Sequence, residues 1–246
     1  MCTKNVLTIV AVAILALPTA ANAEQMLINV NLDWEERTES TLDGPLDGDG
    51  GSDVGTTWNQ ILRQRRGWDI EGIALNDSTG AATNVTFSVA RDGHSLGCWA
   101  WGSPELVLLT SAITGWDPDV DSYDLVFSGV TPGTNYDLYI ASFHPNENGG
   151  RALFSTTNTT TTESPQIVDN GGGGGNDSTW VKGENYTLFE NLEPDVTGEI
   201  IIHVYSDWTT DSSKRNYVSG FQLIPEPATM LLLGVGGLAL VRRKRR

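Results

Sequence analysis

The chain has little cysteine and little positive charge, and each shortage excludes something. Two cysteines occur in 246 residues, Cys2 and Cys98. Cys2 lies at the start of an apolar leader, which leaves Cys98 alone in the body. An internal disulfide is therefore excluded. Cys98 is left with two uses, a buried free thiol or a bond to another chain. Without a staple the body must fold on an apolar core, and about 200 residues can bury one. Lys and Arg number 15 against 31 Asp and Glu, a formal charge of -16. Between Glu24 and Ile224 nine basic residues face 30 acidic ones. Such a surface repels nucleic acid and anionic membrane. It suits a soluble extracellular protein or a cation-rich matrix.

Histidine is also scarce. His94, His144 and His203 lie in three distant segments, with no H-x-H or H-E-x-x-H spacing. They read as isolated surface or core residues. No G-x-S-x-G elbow occurs. Carboxylates are so plentiful that a close pair says little about glycoside hydrolysis. Catalysis needs a clustered base, acid or nucleophile, and the sequence does not announce one.

Long apolar runs are missing from the body and occur only at the ends. Lys4 precedes a twelve-residue stretch, Val6 to Leu17, too short for a membrane span. Ala21-Asn22-Ala23 then supplies an A-x-A cleavage signal. Residues 1–23 read as a secretory signal helix cut after Ala23.

Between the ends lie short strand-like runs separated by turn signals: "QMLINVNL", "DIEGIAL", "NVTFSVA", "ELVLLT", "YDLVFSGV", "NYDLYIASF", "RALFSTT", "NYTLFENL", "GEIIIHVYSD" and "NYVSGFQLI". Val85, Phe87 and Val89 share one face, as do Ile200, Ile202 and Val204. No stretch of the body keeps a helical period. The chain is expected to be all-β, one sandwich or barrel domain over residues 24–223. The Gly- and Asp-rich "LDGPLDGDGGSDVG", the Thr-rich "STTNTTTTES" and the glycine loop "DNGGGGGNDS" read as insertions within that domain.

Three groups in the body suggest binding, each with a plainer reading beside it. Trp99 and Trp101, two apart in "GCWAW", would share a strand face and could stack on a sugar; buried, they would be core. Asp43, Asp47, Asp49 and Asp53 offer hard oxygen ligands suited to Ca²⁺. Their loop lacks a Glu at the twelfth position and reads equally as a solvated turn. Arg63, Arg65 and Arg66 are the one basic cluster of the body, suited to an acidic polysaccharide or to salt bridges with the acids around them.

The C-terminus is "IPEPATMLLLGVGGLALVRRKRR", residues 224–246. Ala228 to Val241 holds fourteen residues, apolar or Gly except Thr229. As a helix it would reach roughly 21 Å against a hydrocarbon layer of ~30 Å. Arg242, Arg243, Lys244, Arg245 and Arg246 would hold its end on the cytoplasmic side. A short transmembrane helix with a basic stop fits a temporary handle; a plain C-terminal anchor is the alternative.

Pro225-Glu226-Pro227, the Gly-containing apolar run and the terminal Arg cluster resemble the PEP-CTERM protein-sorting signal. That resemblance implies a Gram-negative-type envelope, transient inner-membrane anchoring and cleavage near Pro-Glu-Pro by an exosortase. It also implies association with exopolysaccharide and biofilm matrix. The body resembles galactose-binding-like jelly rolls in Ser128-Gly129-Val130-Thr131-Pro132-Gly133, in Tyr136 to Leu138 and in Ser219-Gly220-Phe221-Gln222-Leu223. "VTPGTNYDLYI" also resembles the Pro-x-x-x-Tyr corner of fibronectin type III domains, although the body is too long for one of those. The expectation is a secreted envelope or matrix protein, non-catalytic and carbohydrate-binding, with exosortase and extracellular polysaccharide as partners. The second reading is a polysaccharide-active hydrolase or lyase on the same scaffold. A cluster of His, Asp and Arg on a concave face would favour the enzyme.

Overall fold

Alternation of apolar and polar residues decides the strands. The computed structural model describes residues 27–33, 59–62, 70–90, 96–100, 111–115, 122–143, 151–160, 162, 164–169, 179–206 and 216–226. Among them run thirteen strands: β1 (Ile28–Asp33), β2 (Asn59–Leu62), β3 (Ile70–Asn76), β4 (Ala82–Ala90), β5 (Leu96–Ala100), β6 (Ser111–Gly115), β7 (Ser122–Ser128), β8 (Tyr136–Ala141), β9 (Arg151–Ser155), β10 (Gln166–Asp169), β11 (Tyr186–Leu192), β12 (Glu199–Ser206) and β13 (Gly220–Pro225). The described chain is all-β, as its patterning predicts. No helix among the described residues is long and apolar enough to cross a membrane. Both terminal segments read as helices, 1–23 and 228–241, lie outside the described residues.

Two sheets form a sandwich. One has the order β11-β8-β13-β1-β2, the other β10-β9-β12-β7-β4-β3, and β5 pairs with β6 in a separate ribbon. Among the described strands every pairing is antiparallel except β1 with β2, which is parallel from Val30↔Asn59. Alternation puts Val85, Phe87 and Val89 of β4 inside with Tyr123, Leu125 and Phe127 of β7 and Ile200, Ile202 and Val204 of β12. Phe221 of β13 meets Phe87 and Phe127 across the gap, with ring centroids 4.8 and 4.7 Å away. These three rings weld one sheet to the other; truncating any of them to alanine would cost about 3–5 kcal/mol. At the edge Asn59 joins the sheets by polar bonds. Its amide donates to the carbonyls of Asn29 and Asn76, and its Oδ1 accepts from the Asn76 N–H at 2.8 Å.

β13 is the inner strand on which the rest depends. It pairs with β8 from Gly220↔Ala141 to Pro225↔Tyr136, and with β1 from Asn31↔Gly220 to Ile28↔Leu223. Both its faces are covered: Gln222 is buried on the side away from Phe221, and its amide donates to Asn29 Oδ1 at 2.8 Å. The β5–β6 ribbon joins just ahead of β13 through two backbone bonds between Ile113 and Val218, both 2.9 Å.

Two tight turns share one chemistry. Asp77-Ser78-Thr79-Gly80 links β3 to β4, and Asp195-Val196-Thr197-Gly198 leads from β11 into β12. In each, the Asp Oδ1 accepts from the Thr N–H, at 2.9 and 2.8 Å. It also accepts from the Thr hydroxyl, at 2.6 and 2.7 Å, and from the N–H four residues on, at 3.0 and 2.8 Å. The Asp carbonyl takes the Gly N–H, and the Gly has φ of 85° in one turn and 78° in the other. A left-handed residue is required there, and glycine adopts that conformation without a Cβ penalty. At the start of β8, Tyr136 is buried and its hydroxyl accepts from the Thr131 N–H at 3.0 Å. That is the tyrosine corner expected from "VTPGTNY".

Candidate functional site

Three strand ends meet where the folded chain runs into its tail. Tyr136 of β8 lies opposite Leu192 of β11 on one side and Pro225 of β13 on the other. The strand therefore crosses the 223/224 point at which composition separates body from tail. The Glu226 N–H continues the pattern and donates to the Asn135 carbonyl at 2.8 Å. Pro225 is buried and Glu226 half-buried. Two of the three residues in the Pro-Glu-Pro segment thus belong to the folded domain.

The Glu226 carboxylate is held by groups of the domain. β11 is irregular between Phe189 and Leu192, and Asn191 stands in the irregularity with φ of 56°. Asparagine is one of the few side-chain-bearing residues that tolerate this conformation. The twist brings the Asn191 side chain to Glu226. With its amide nitrogen facing the carboxylate it donates to Oε1 at 2.5 Å and to Oε2 at 3.2 Å. The Asn191 backbone N–H donates to Asp137 Oδ1 at 3.1 Å. Burial, then the charge of Asp137, holds the Glu226 carboxyl above its usual range, against a hydrogen bond from the Asn135 side chain. Burial also raises Asp137, with the charge of Glu190 adding to it. Asp137, Glu190 and Glu226 do not converge on an ion: among the described residues no group of three or more His, Cys, Asp or Glu is placed to hold a metal.

A cleft of about 440 Å³ opens beside this junction. Asn135, Asn158, Thr159, Asn191, Glu193 and Asp195 are among its lining residues. Much of that polar lining already serves the fold. The Asn158 amide donates to the carbonyls of Glu193 and Glu199 and its Oδ1 accepts from the Ile201 N–H. The Thr159 hydroxyl donates to the Glu190 carbonyl, and Asp195 caps its own turn.

The second region is the outer face of the six-stranded sheet. His203 lies directly across from Asp124 on β7 and from Ser155 on β9. Its Nδ1 is 2.6 Å from Asp124 Oδ1. His203 is thus paired, and the sequence separation of the three histidines concealed it. Two residues further along β12, Tyr205 is 40% exposed and its ring lies 6.3 Å from the His203 ring. Tyr205 stands opposite Ser122 and Leu153, and Leu153 opposite Ile167, itself 42% exposed. Arg151 and Asp169 close the patch with a 2.6 Å ion pair. Ser155, His203 and Asp124 occur in one cross-strand row, but no hydrogen bond joins Ser155 to His203.

Most residues singled out by sequence are outside the described residues. Trp99 is on β5, its backbone opposite Ala112. Its side chain, together with Trp101, lies outside the described residues. So do Ala21, Ala23, Asp43, Asp47, Asp49, Asp53, Arg63, Arg65, Arg66, His94, His144, Pro227 and the basic end Arg242, Arg243, Lys244, Arg245 and Arg246. The grip of Asn135 and Asn191 on Glu226 had no separate signal in the sequence. Asn191, the second Asn of "NYTLFENL", is of a type that tolerates the left-handed backbone, but its identity alone does not place it there.

Residues 223–246 match the PEP-CTERM protein-sorting motif. That motif marks a bacterial protein that is secreted or sorted to the envelope, and it implies processing by an exosortase. No curated protein matches the chain. Among solved structures, the chain is similar to TmCBM61 in complex with β-1,4-galactotriose, at 14% identity and a TM-score of 0.33, over 57% of this chain and 88% of that one. It is also similar to the exo-β-1,3-galactanase of Phanerochaete chrysosporium with galactose, at 11% identity and a TM-score of 0.33, over 59% of this chain. A third is the Podospora anserina GH26-CBM35 β-(1,4)-mannanase, at 16% identity and a TM-score of 0.29, over 67% of this chain. The chain spans 30% and 28% of the latter two.

Proposed function

We propose that an exosortase cuts this chain at its Pro-Glu-Pro segment and passes it outward, and that its sandwich is a non-catalytic domain that binds carbohydrate in an extracellular matrix. The sorting half rests on the motif at residues 223–246. Replacing Pro225, Glu226 and Pro227 with alanine should leave the protein in the membrane, as seen by fractionation. Full release of that variant overturns the sorting half.

The binding half rests on one observation, the exposed Tyr205 ring set between the Asp124–His203 and Arg151–Asp169 pairs. A sugar offers an apolar face of C–H bonds and a rim of hydroxyls. An exposed aromatic ring suits the first, and planar charged hydrogen-bonding groups suit the second. The test is glycan-array retention of residues 24–226, because a body ended at 224 would lack Pro225 and the Glu226 backbone bond. Tyr205→Ala should lose retention while its stability stays within about 0.5 kcal/mol, the usual range for exposed sites. Trp99→Ala with Trp101→Ala tests the other platform in the same assay. Retention unchanged by both variants removes the sugar reading. The second reading, a polysaccharide-active enzyme, draws on the His203–Asp124 pair. Product analysis on the same glycans decides it.

A further inference from the structure

We propose that the folded domain is a latch on its own sorting motif: Asn135 and Asn191 hold Pro225 and Glu226 against the end of the sheet, and the exosortase receives the motif only when that end of β13 lets go. This rests on the sorting reading above. Two observations carry it.

The first is spacing. Glu226 is tied into the fold by its backbone N–H to Asn135 and by its carboxylate to Asn191. The apolar segment begins at Ala228, so Pro227 is the one residue between them. One residue spans at most about 3.6 Å. A membrane enzyme that must surround Pro-Glu-Pro as extended chain has no room to do so while Pro225 is paired with β8 and Glu226 is bonded to Asn135 and Asn191. A protein with a flexible linker before its motif would meet no such obstacle.

The second is how the hold is constructed. Up to Leu223, β13 has a partner on each side, β8 and β1; from Ile224 on, β8 is the one strand partner among the described residues. Beyond that point the hold depends on the Pro225↔Tyr136 pairing, the Asn135 carbonyl and the two Asn side chains. Asp137 stands opposite Ile224 and pushes against the Glu226 charge, with Glu190 behind it. Amide hydrogen bonds close the latch; burial and like charge work to open it. The last three residues, Ile224 to Glu226, can therefore fray as a unit while Gly220 to Leu223 stay paired on both sides. Local opening of strand ends costs far less than global unfolding. The mature domain keeps its core because Phe221 and Leu223 lie inside the doubly paired stretch.

The test uses the full chain in cells that carry the exosortase, with tail removal followed by pulse-chase and the domain followed by amide hydrogen exchange. Asn191→Gly removes the side-chain amide and keeps a residue content with the left-handed backbone. It should speed exchange of the Glu226 amide roughly two- to tenfold, the effect of one lost hydrogen bond, with Leu223 unchanged. Tail removal should speed up alongside it. Asp137→Asn keeps the acceptor for the Asn191 N–H, removes the repulsion, and should slow both. Asn135→Ala gives a second weakened latch if Asn191→Gly folds poorly. Exchange that shifts while tail removal runs at the wild-type rate in every variant means that the motif is read while docked, and overturns the proposal. So does unchanged exchange at Glu226 in both weakened variants. A wild-type chain whose tail is never removed speaks instead against the sorting reading, and separates the two failures.

Discussion

The two Asp-x-Thr-Gly turns and the Pro-Glu-Pro junction place carboxylates at strand ends and use them to opposite effect. In the turns, Asp77 and Asp195 each accept three hydrogen bonds on one oxygen. Donors turned toward a charge favour its charged form. The Thr79 hydroxyl first, and the turn N–H groups with it, hold Asp77 below the usual carboxylate range; the Thr197 hydroxyl leads in the same way for Asp195. At the junction, burial comes first and like charge adds to it, so Asp137 and Glu226 are pushed up. The turns are built to stay closed with their acids ionised. The junction is built so that ionisation works against closure. The comparison teaches that the carboxylate's environment, rather than its presence, decides whether an acidic strand end is a staple or a latch.

The largest effect that sharpens the comparison should come from the backbone of a turn. Gly198 has φ of 78°, and a Cβ there would stand 2.6 Å from the Val130 carbonyl oxygen. Gly198→Ala adds left-handed strain to a collision with backbone that cannot rotate away. We expect a loss of about 2–5 kcal/mol and a fall in melting temperature of roughly 5–15 °C. A midpoint within a degree or two of wild type would mean the turn is loose and the comparison has no rigid arm. A smaller effect is expected from Asp77→Ala, about 1 kcal/mol or roughly 2–4 °C at neutral pH. Its signature is pH: a depressed carboxylate gives stability above its unfolded pKa and loses it as the pH falls through the folded value. The deficit of Asp77→Ala should therefore shrink in acid. A deficit that is the same in acid and at neutral pH would show that the charge of Asp77 is irrelevant to the turn.

The sandwich was legible because burial on one face writes an alternation that sequence displays. Val85, Phe87 and Val89 and Ile200, Ile202 and Val204 were placed inside by pattern and lie inside. β2, β5, β6 and β10 were not among the strand-like runs: β2 and β10 have four residues, and Gly, Ala and Ser dilute β5 and β6, so alternation does not register. Their existence depends on partners: β2 lies parallel to β1 because Asn59 is pinned between two strands, which no local signal foretells. The recurrence of "DSTG" and "DVTG" was available as a short repeat but is too brief to see without knowing that both sit in turns. Candidate sites were less legible. His203 and Asp124 are 79 positions apart, and only the register of β12 against β7 brings them to 2.6 Å. Pro225 and Glu226 were read as tail because the tail's composition is so distinctive. The structure places Pro225 in β13 and bonds the Glu226 N–H to Asn135 just past the strand's end, because backbone pairing has no regard for the composition that follows it.

The smallest effect should come from the junction, and its sign carries the comparison. Asp137→Asn keeps an oxygen for the Asn191 N–H and deletes a charge that burial and Glu190 disfavour. A raised carboxylate favours the folded state when protonated. Its contribution is fully present below the unfolded pKa and is lost as the pH rises through the folded value. At neutral pH wild-type Asp137 is therefore a burden that the variant lacks; well below the carboxylate range it is protonated and the two proteins should be alike. We expect Asp137→Asn to match wild type in acid and to exceed it at pH 7 by no more than about 0.5 kcal/mol, a degree or two in melting temperature. The same residue change at Asp77, Asp77→Asn, should give the opposite sign at pH 7, because there the turn donors reward the charge. Thermal denaturation of the four proteins, two variants and wild type at two pH values plus the double mutant, tests both signs together. If Asp137→Asn loses stability at pH 7 and not in acid, the junction carboxylate is a staple like those in the turns, and the distinction between the two regions collapses.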